Sequence, residues 1–285
     1  QACLESGRAK CTYGTGAFIM MNTGTTAVTS QNGLLTTPAF RLEDGPVYYA
    51  LEGACFNAGS VINWAKGKLR LCDSIGEVTS ACRNTTSNGD CFFVPAFSGL
   101  GSPYWDSTAR GTVCGLTSYV TRDHMLRAIV ESVAFQVNDV ISAMEADSGR
   151  KMLEMRVDGG MTANDFLLQF QADMMDCPIR RAEVQESTAR GAAFAAGLAI
   201  QMYRDVAYIS EVWRAEATFE PALSSTARSE LLRKWGKAVQ KSMGGTLPDG
   251  TGENSACWCR WTAAVALTAG IAGAAGFLFG KAARR

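Results

Sequence analysis

Leu153-Glu154-Met155-Arg156-Val157-Asp158-Gly159-Gly160 is an alternating run that ends in an acid and two glycines, and the residues after it set Phe166, Leu167, Phe170 and Met174 on one helical face. The pattern predicts a strand feeding a helix through a glycine turn, the unit from which α/β domains are assembled. Two reasons can place glycines at such a point. A tight turn needs them for steric room; alternatively, their missing side chains let a polyphosphate or nucleoside approach the main chain, with the N–H groups of a helix start behind it.

A second glycine turn lies far upstream. Thr12-Tyr13-Gly14-Thr15-Gly16 precedes the apolar run Ala17-Phe18-Ile19-Met20-Met21, which is followed by Asn22-Thr23-Gly24. Two glycine turns in one domain predict two contacts to one ligand. Around them the chain reads as strands and hairpins over residues 10–55, a helix over 58–69, and a loop-rich stretch to Gly89. A Gly/Pro/aromatic loop follows at Ser98-Gly99-Leu100-Gly101-Ser102-Pro103-Tyr104-Trp105, with a structural or a ligand-contacting role open to it. Apolar residues from Leu126 to Met144 recur by threes and fours and predict a long helix over 122–147. Beyond the Asp158 turn come a helix to about 176, a strand over 179–184, an alanine-rich helix over 188–202 with an expected buried packing face, and helices over 206–214 and 224–242. Strands first and alternating helices and strands afterwards indicate an α/β domain with helices packed on a sheet.

Composition narrows the function classes. The chain of 285 residues is 47% hydrophobic, enough for a substantial core. Lys+Arg and Asp+Glu both number 27, so no overall field attracts nucleic acid. The ten cysteines are scattered without metal-type Cys-x-x-Cys pairs, and several sit in apolar runs, which suits reduced core residues. A single histidine, His124, provides no multi-histidine zinc site and no histidine-based triad.

Six ordered stretches resemble the C-terminal half of the glycerol kinases, a branch of the FGGY carbohydrate kinases: Thr12-Tyr13-Gly14-Thr15-Gly16-Ala17-Phe18, Glu52-Gly53-Ala54-Cys55-Phe56-Asn57-Ala58-Gly59, Val94-Pro95-Ala96-Phe97-Ser98-Gly99-Leu100, Pro103-Tyr104-Trp105-Asp106, Arg156-Val157-Asp158-Gly159-Gly160 and Thr188-Ala189-Arg190-Gly191-Ala192-Ala193. Residues 111–131 fit the signature of the wider family, and the likeness runs over residues 1–244.

The resemblance implies an actin-like, ribonuclease-H-like ATPase domain with a mixed sheet, acting on ATP with Mg2+ and on glycerol. It places Gly14 and Thr15 at the phosphates and Phe18 as an apolar wall near the glycerol carbons. Gly59 and Asn63 then flank the nucleotide, with Asn63 standing where many relatives have glutamine, and Gly159, Gly160 and Asn164 hold the adenosine end. Asn164 also has a second reading, as a cap of the helix that follows it. The family's catalytic aspartate belongs to a Gly-Asp-Gln segment expected before Gln1, so no catalytic residue and no metal ligand is assigned within this chain, which reads as a fragment. A kinase for another polyol or a ketose, or a catalytically inactive nucleotide-binding protein tethered to a membrane, remains an alternative.

On this reading residues 1–243 form the kinase domain and residues 244–256 a Gly/Pro-rich linker. Residues 257–285 are the expected membrane anchor, because the uncharged run of 20 residues from Trp261 to Gly280 is closed by Lys281, Arg284 and Arg285. The resemblance extends that expectation to the cytoplasmic face of the mitochondrial outer membrane. Self-association with a second copy is left open by the sequence.

Overall fold

The computed structural model describes residues 1–42 and 45–244. The expected linker, apart from Gly244, and the expected membrane anchor lie outside the described residues, as do Cys257 and Cys259. One mixed sheet of seven strands organises the domain: β1 (Arg8–Tyr13), β2 (Ala17–Gly24), β3 (Leu35–Arg41), β4 (Val47–Cys55), β7 (Glu154–Asp158), β8 (Ile179–Ala182) and β9 (Ala215–Phe219). Their order is β3-β4-β2-β1-β7-β8-β9. β1, β7 and β8 run parallel, and the remaining pairs are antiparallel. A small antiparallel pair, β5 (Phe92–Val94) with β6 (Thr112–Cys114), stands apart from it.

Alternation in β1 and β2 turns Ala9, Cys11, Tyr13, Ala17, Ile19 and Met21 into the core, all essentially inaccessible to solvent. Against that face pack α3 (Arg122–Ser148) and α4 (Asp165–Met175). α3 is buried on nearly every side, which explains why its apolar positions spread beyond a single stripe. It approaches β4 so closely that a Cβ at Gly53 would lie 2.4 Å from Val140. α7 (Ser225–Ser242) closes the core with Trp235, which stacks on Phe135 at 5.1 Å.

Three elements depart from expectation. The stretch read as loop before Gly89 contains α2 (Ile75–Asn84), capped by Ser74 accepting from the Glu77 N–H at 3.2 Å. β9 was not expected; it adds to β8 as an edge strand. The alanines of α5 (Ser187–Ala199) are not a buried packing face: Ala192, Ala193, Ala195, Ala196 and Ala199 are exposed among the described residues. Only Gly197 is buried on α5, because the Tyr203 ring sits where its side chain would stand, 2.3 Å from the Cβ position.

Candidate nucleotide site

β1 and β7 are parallel neighbours, and Thr12 opposite Asp158 is their last registered pair. Both strands therefore release their glycine turns at the same end of the sheet. Tyr13, the last residue of β1, is fixed from below: its hydroxyl donates to Gln171 Oε1 at 2.9 Å, and the Gln171 amide donates to the Ala134 carbonyl at 3.1 Å. Gly159 lies directly on this anchored residue, and Gly59, at the start of α1 (Gly59–Gly67), lies on Gly14. Gly59 also neighbours Met161, with 3.7 Å from its Cβ position to Cγ. The structure thus brings Gly14, Thr15, Gly59, Gly159 and Gly160 into one backbone cluster.

Geometry now separates the two reasons for glycine. A Cβ at Gly16 would lie 2.5 Å from the Cys55 carbonyl, one at Gly59 2.6 Å from the Gly14 carbonyl, and one at Gly159 2.4 Å from the Tyr13 carbonyl. Gly159 also has φ +92°, in the region that favours glycine. These three glycines are required by packing. Gly14 and Gly160 are not: among the described residues a Cβ at Gly14 would meet only the Gly16 carbonyl at 3.8 Å, and one at Gly160 would meet nothing within 4 Å. Steric need leaves these two unexplained, and both border open space.

The hydrogen bonds assign further roles. The Gly14 N–H donates to the Gly16 carbonyl at 2.9 Å, so Gly14 supplies room for a ligand and keeps its own donor in the turn. The carbonyls of Gly14 and Thr15 accept from the first N–H groups of α1: Gly59 to Gly14 at 2.9 Å, Ala58 to Thr15 at 2.9 Å and Ser60 to Thr15 at 3.1 Å. The helix start is satisfied by the hairpin and fixes it in place. Thr15 itself is exposed at the tip, and Asn63 is exposed one helical turn beyond Gly59.

Asn164 caps α4, its Oδ1 accepting from Phe166 N–H at 3.1 Å and Leu167 N–H at 3.3 Å. The capping role uses the oxygen of its amide; the NH2 end is a separate pair of donors. Phe18 is half-buried on β2, registered with Thr12 on one side and Ala54 on the other. It therefore shares the sheet face of Lys10, Thr12 and Asp158, on the side away from α3.

That face is unusually polar. Glu154 is shared by Arg8, by Arg156 at 2.8 Å and by Arg180 at 3.1 Å. Burial pushes the Glu154 carboxyl up, but the hydrogen bond and charge of Arg156, with Arg8 and Arg180 behind it, hold it below its ordinary range. The Arg156 guanidinium also lies 3.9 Å over the Trp213 ring and donates to the Gln1 carbonyl at 2.7 Å. Asp158 is 2% exposed; Oδ2 accepts from the Gln1 amide at 2.8 Å, and the buried Oδ1 has no hydrogen-bond partner among the described residues. In the sequence Asp158 stands only as part of a glycine turn, and Lys10 carries no motif of its own. The alternation of Lys10, Cys11 and Thr12 could have put Lys10 and Thr12 on one face, but their alignment with Asp158 depends on long-range strand register.

The expected cofactors can be tested against this donor set. Among the described residues no three His, Cys, Asp or Glu side chains come together to hold a metal ion.

Comparison with known proteins follows the same lines. Residues 9–200 match the family model described as the FGGY family of carbohydrate kinases, C-terminal domain. Glycerol kinase of Rhizorhabdus wittichii is 48% identical over 244 residues, covering 86% of this chain and 48% of that protein. Glycerol kinase 2 of Thermotoga maritima is 46% identical over 244 residues, again 86% of this chain and 49% of that protein. Among solved structures, Plasmodium falciparum glycerol kinase with ADP superposes with a TM-score of 0.81 at 36% identity, over 85% of this chain and 48% of that one. The xylulose kinase of Lactobacillus acidophilus, at TM-score 0.76 and 22% identity over 86% of this chain and 49% of that one, shows the shared fold. The chain spans about half the length of the curated relatives it matches. With the mixed sheet, the actin-like arrangement and the ordered glycine turns in place, the chain belongs to the FGGY family of carbohydrate kinases and corresponds to its C-terminal domain.

Proposed function

We propose that this chain is the nucleotide-holding C-terminal part of an ATP-dependent glycerol kinase, an enzyme that moves the γ-phosphoryl group of ATP to glycerol and yields sn-glycerol 3-phosphate. One observation carries the reading: Gly14 and Gly160, which packing does not require to be glycine, border open space beside the same anchored backbone cluster. The 48% identity to a glycerol kinase favours that branch over kinases for other polyols or ketoses, whose structural likeness lies near 22% identity.

Phosphoryl transfer depends on placement and charge stabilisation more than on covalent chemistry by the protein. The chain is suited to placement. Thr15 offers a main-chain N–H and a hydroxyl to the phosphates, Gly14 and Gly160 leave room for main-chain approach, and Gly59, Gly159, Asn63 and Asn164 border the nucleoside. Phe18 gives the glycerol carbons an apolar wall. Mg2+ belongs to the reading as the nucleotide's counter-ion. The chain contains no Gly-Asp-Gln segment, so the group that takes the glycerol proton is assigned outside residues 1–285.

Calorimetric titration with ADP and a coupled ADP-release assay with glycerol test this. Saturable ADP binding with little or no turnover is expected. Absence of ADP binding would remove the site, and robust glycerol-dependent turnover would put the proton acceptor inside this chain.

The reading extends to residues 257–285 as a tether to the mitochondrial outer membrane, supported by the uncharged run and its basic end. Among the described residues no helix is long and apolar enough to cross a membrane. Deleting residues 257–285 should release the protein from the membrane fraction; unchanged association would rule the tether out.

A further inference from the structure

Four cations share the polar face of the central strands, and one differs from the rest. Arg8, Arg156 and Arg180 all converge on Glu154. Lys10, registered directly opposite Arg156, has no ion pair among the described residues. Its ammonium instead donates to two neutral oxygens, Thr12 Oγ1 and the Phe18 carbonyl, both at 3.3 Å. These contacts draw it along β1 toward the end at which the Gly14-Thr15 turn stands.

Asp158, registered with Thr12 on the same face, could have neutralised it. The two have not closed on each other: Lys10 rests on neutral acceptors, while the buried Asp158 Oδ1 has no hydrogen-bond partner among the described residues. A half-buried ammonium held by neutral oxygens and a buried carboxylate oxygen lacking a donor are both incomplete in electrostatic terms. They flank the Thr12 hydroxyl in one row, directly below the two glycine turns. A ligand carrying anionic oxygens, together with a hydroxyl or water, completes both.

We propose that Lys10 is a phosphate-binding residue whose ammonium takes a terminal phosphoryl oxygen of a nucleoside di- or triphosphate, with Asp158 Oδ1 accepting from a hydroxyl or water beside it. The inference rests on the nucleotide reading of the glycine turns and adds to it a side-chain charge that discriminates by phosphate number. Thr12 and the Phe18 carbonyl act as its guides, holding the flexible stem so that less side-chain freedom is lost on binding.

The test is titration of AMP, ADP and a non-hydrolysable ATP analogue into the wild-type chain, Lys10→Met and Lys10→Arg, with melting temperatures recorded for all three proteins. Lys10→Met should leave AMP affinity unchanged while lowering the preference for the ATP analogue over AMP about tenfold, the size of one charge-assisted hydrogen bond. Lys10→Arg should keep most of that preference. An unchanged preference in Lys10→Met overturns the proposal, as does a loss of AMP affinity in the same proportion, which would mark a structural role. Failure of the wild type to bind any of the three nucleotides would remove the underlying function, and this inference with it.

Discussion

Adjacent glycines in the β7 turn should respond in opposite ways to the same substitution. In Gly159→Ala the new Cβ would lie 2.4, 2.8 and 3.0 Å from the Tyr13 carbonyl oxygen, carbonyl carbon and amide nitrogen. None of these atoms can yield cheaply, because Tyr13 is held by its hydroxyl bond to Gln171 and β1 by its ladder to β7. The backbone at φ +92°, ψ 164° adds its own cost for any residue with a side chain. Strain of this kind costs about 1–3 kcal/mol, and a main-chain clash that parts two central strands brings the total to about 3–5 kcal/mol. For a domain of this size that lowers the melting temperature by roughly 10 °C. Gly160→Ala meets nothing within 4 Å, so its stability should stay within about 1 kcal/mol of wild type. Its methyl group instead enters the space assigned to the nucleotide, and ADP affinity should fall about tenfold, near 1.4 kcal/mol. Urea denaturation and ADP titration on both variants read the two effects separately. If Gly160→Ala unfolds as easily as Gly159→Ala, or binds ADP as wild type does, the division between packing glycines and ligand-facing glycines is wrong.

Asp139 supplies a pH-dependent prediction. Burial pushes its carboxyl up to about 7 despite hydrogen bonds from Trp235 Nε1, at 2.7 Å, and from Tyr104. A folded-state value above the unfolded one means the fold binds the extra proton: the stabilisation is complete below about pH 4 and is lost as pH rises through 7. The wild type should lose roughly 4 kcal/mol across that window from this group, and Asp139→Asn should flatten the urea-midpoint profile. Glu154→Gln leaves Arg8, Arg156 and Arg180 without their shared carboxylate, so a loss of about 3 kcal/mol is expected in chemical denaturation. The native cysteines of the core should resist alkylation until the protein unfolds, since burial pushes Cys11, Cys82 and Cys177 up to about 12; rapid labelling of these three in the folded protein would contradict the packing.

The parts of the fold that were legible in the sequence are those written in local period. α3 announced itself because its core contacts repeat along one element, and β7 because alternation ended at a glycine pair. α2 was legible too, through Ser74 and Glu77 at capping spacing ahead of Val78, Ala81 and Cys82, but its short polar surface masked the pattern. β9 offered little, since an edge strand with exposed residues carries no strong hydrophobic alternation. The alanines of α5 misled for another reason: small side chains suit close packing, but only the arrangement of neighbours decides whether anything packs there. At the site, the glycines could be found locally but not sorted. Gly14 and Gly16 look alike in sequence, and what separates them is the Cys55 carbonyl brought across by β4. Lys10 and Asp158 were invisible as a pair for the same reason, their alignment being set by parallel register between distant segments.

The three bonds from Ala58, Gly59 and Ser60 to the Gly14-Thr15 carbonyls have a mechanical consequence. The hairpin cannot pivot without peeling open the first turn of α1, so the two behave as a single stiff lever rather than as a loop beside a helix. The hydrogen-exchange rates of those three amides therefore serve as a gauge of hairpin opening. Anything that clamps the tip at Thr15 should slow exchange at all three together, from a distance and without touching them.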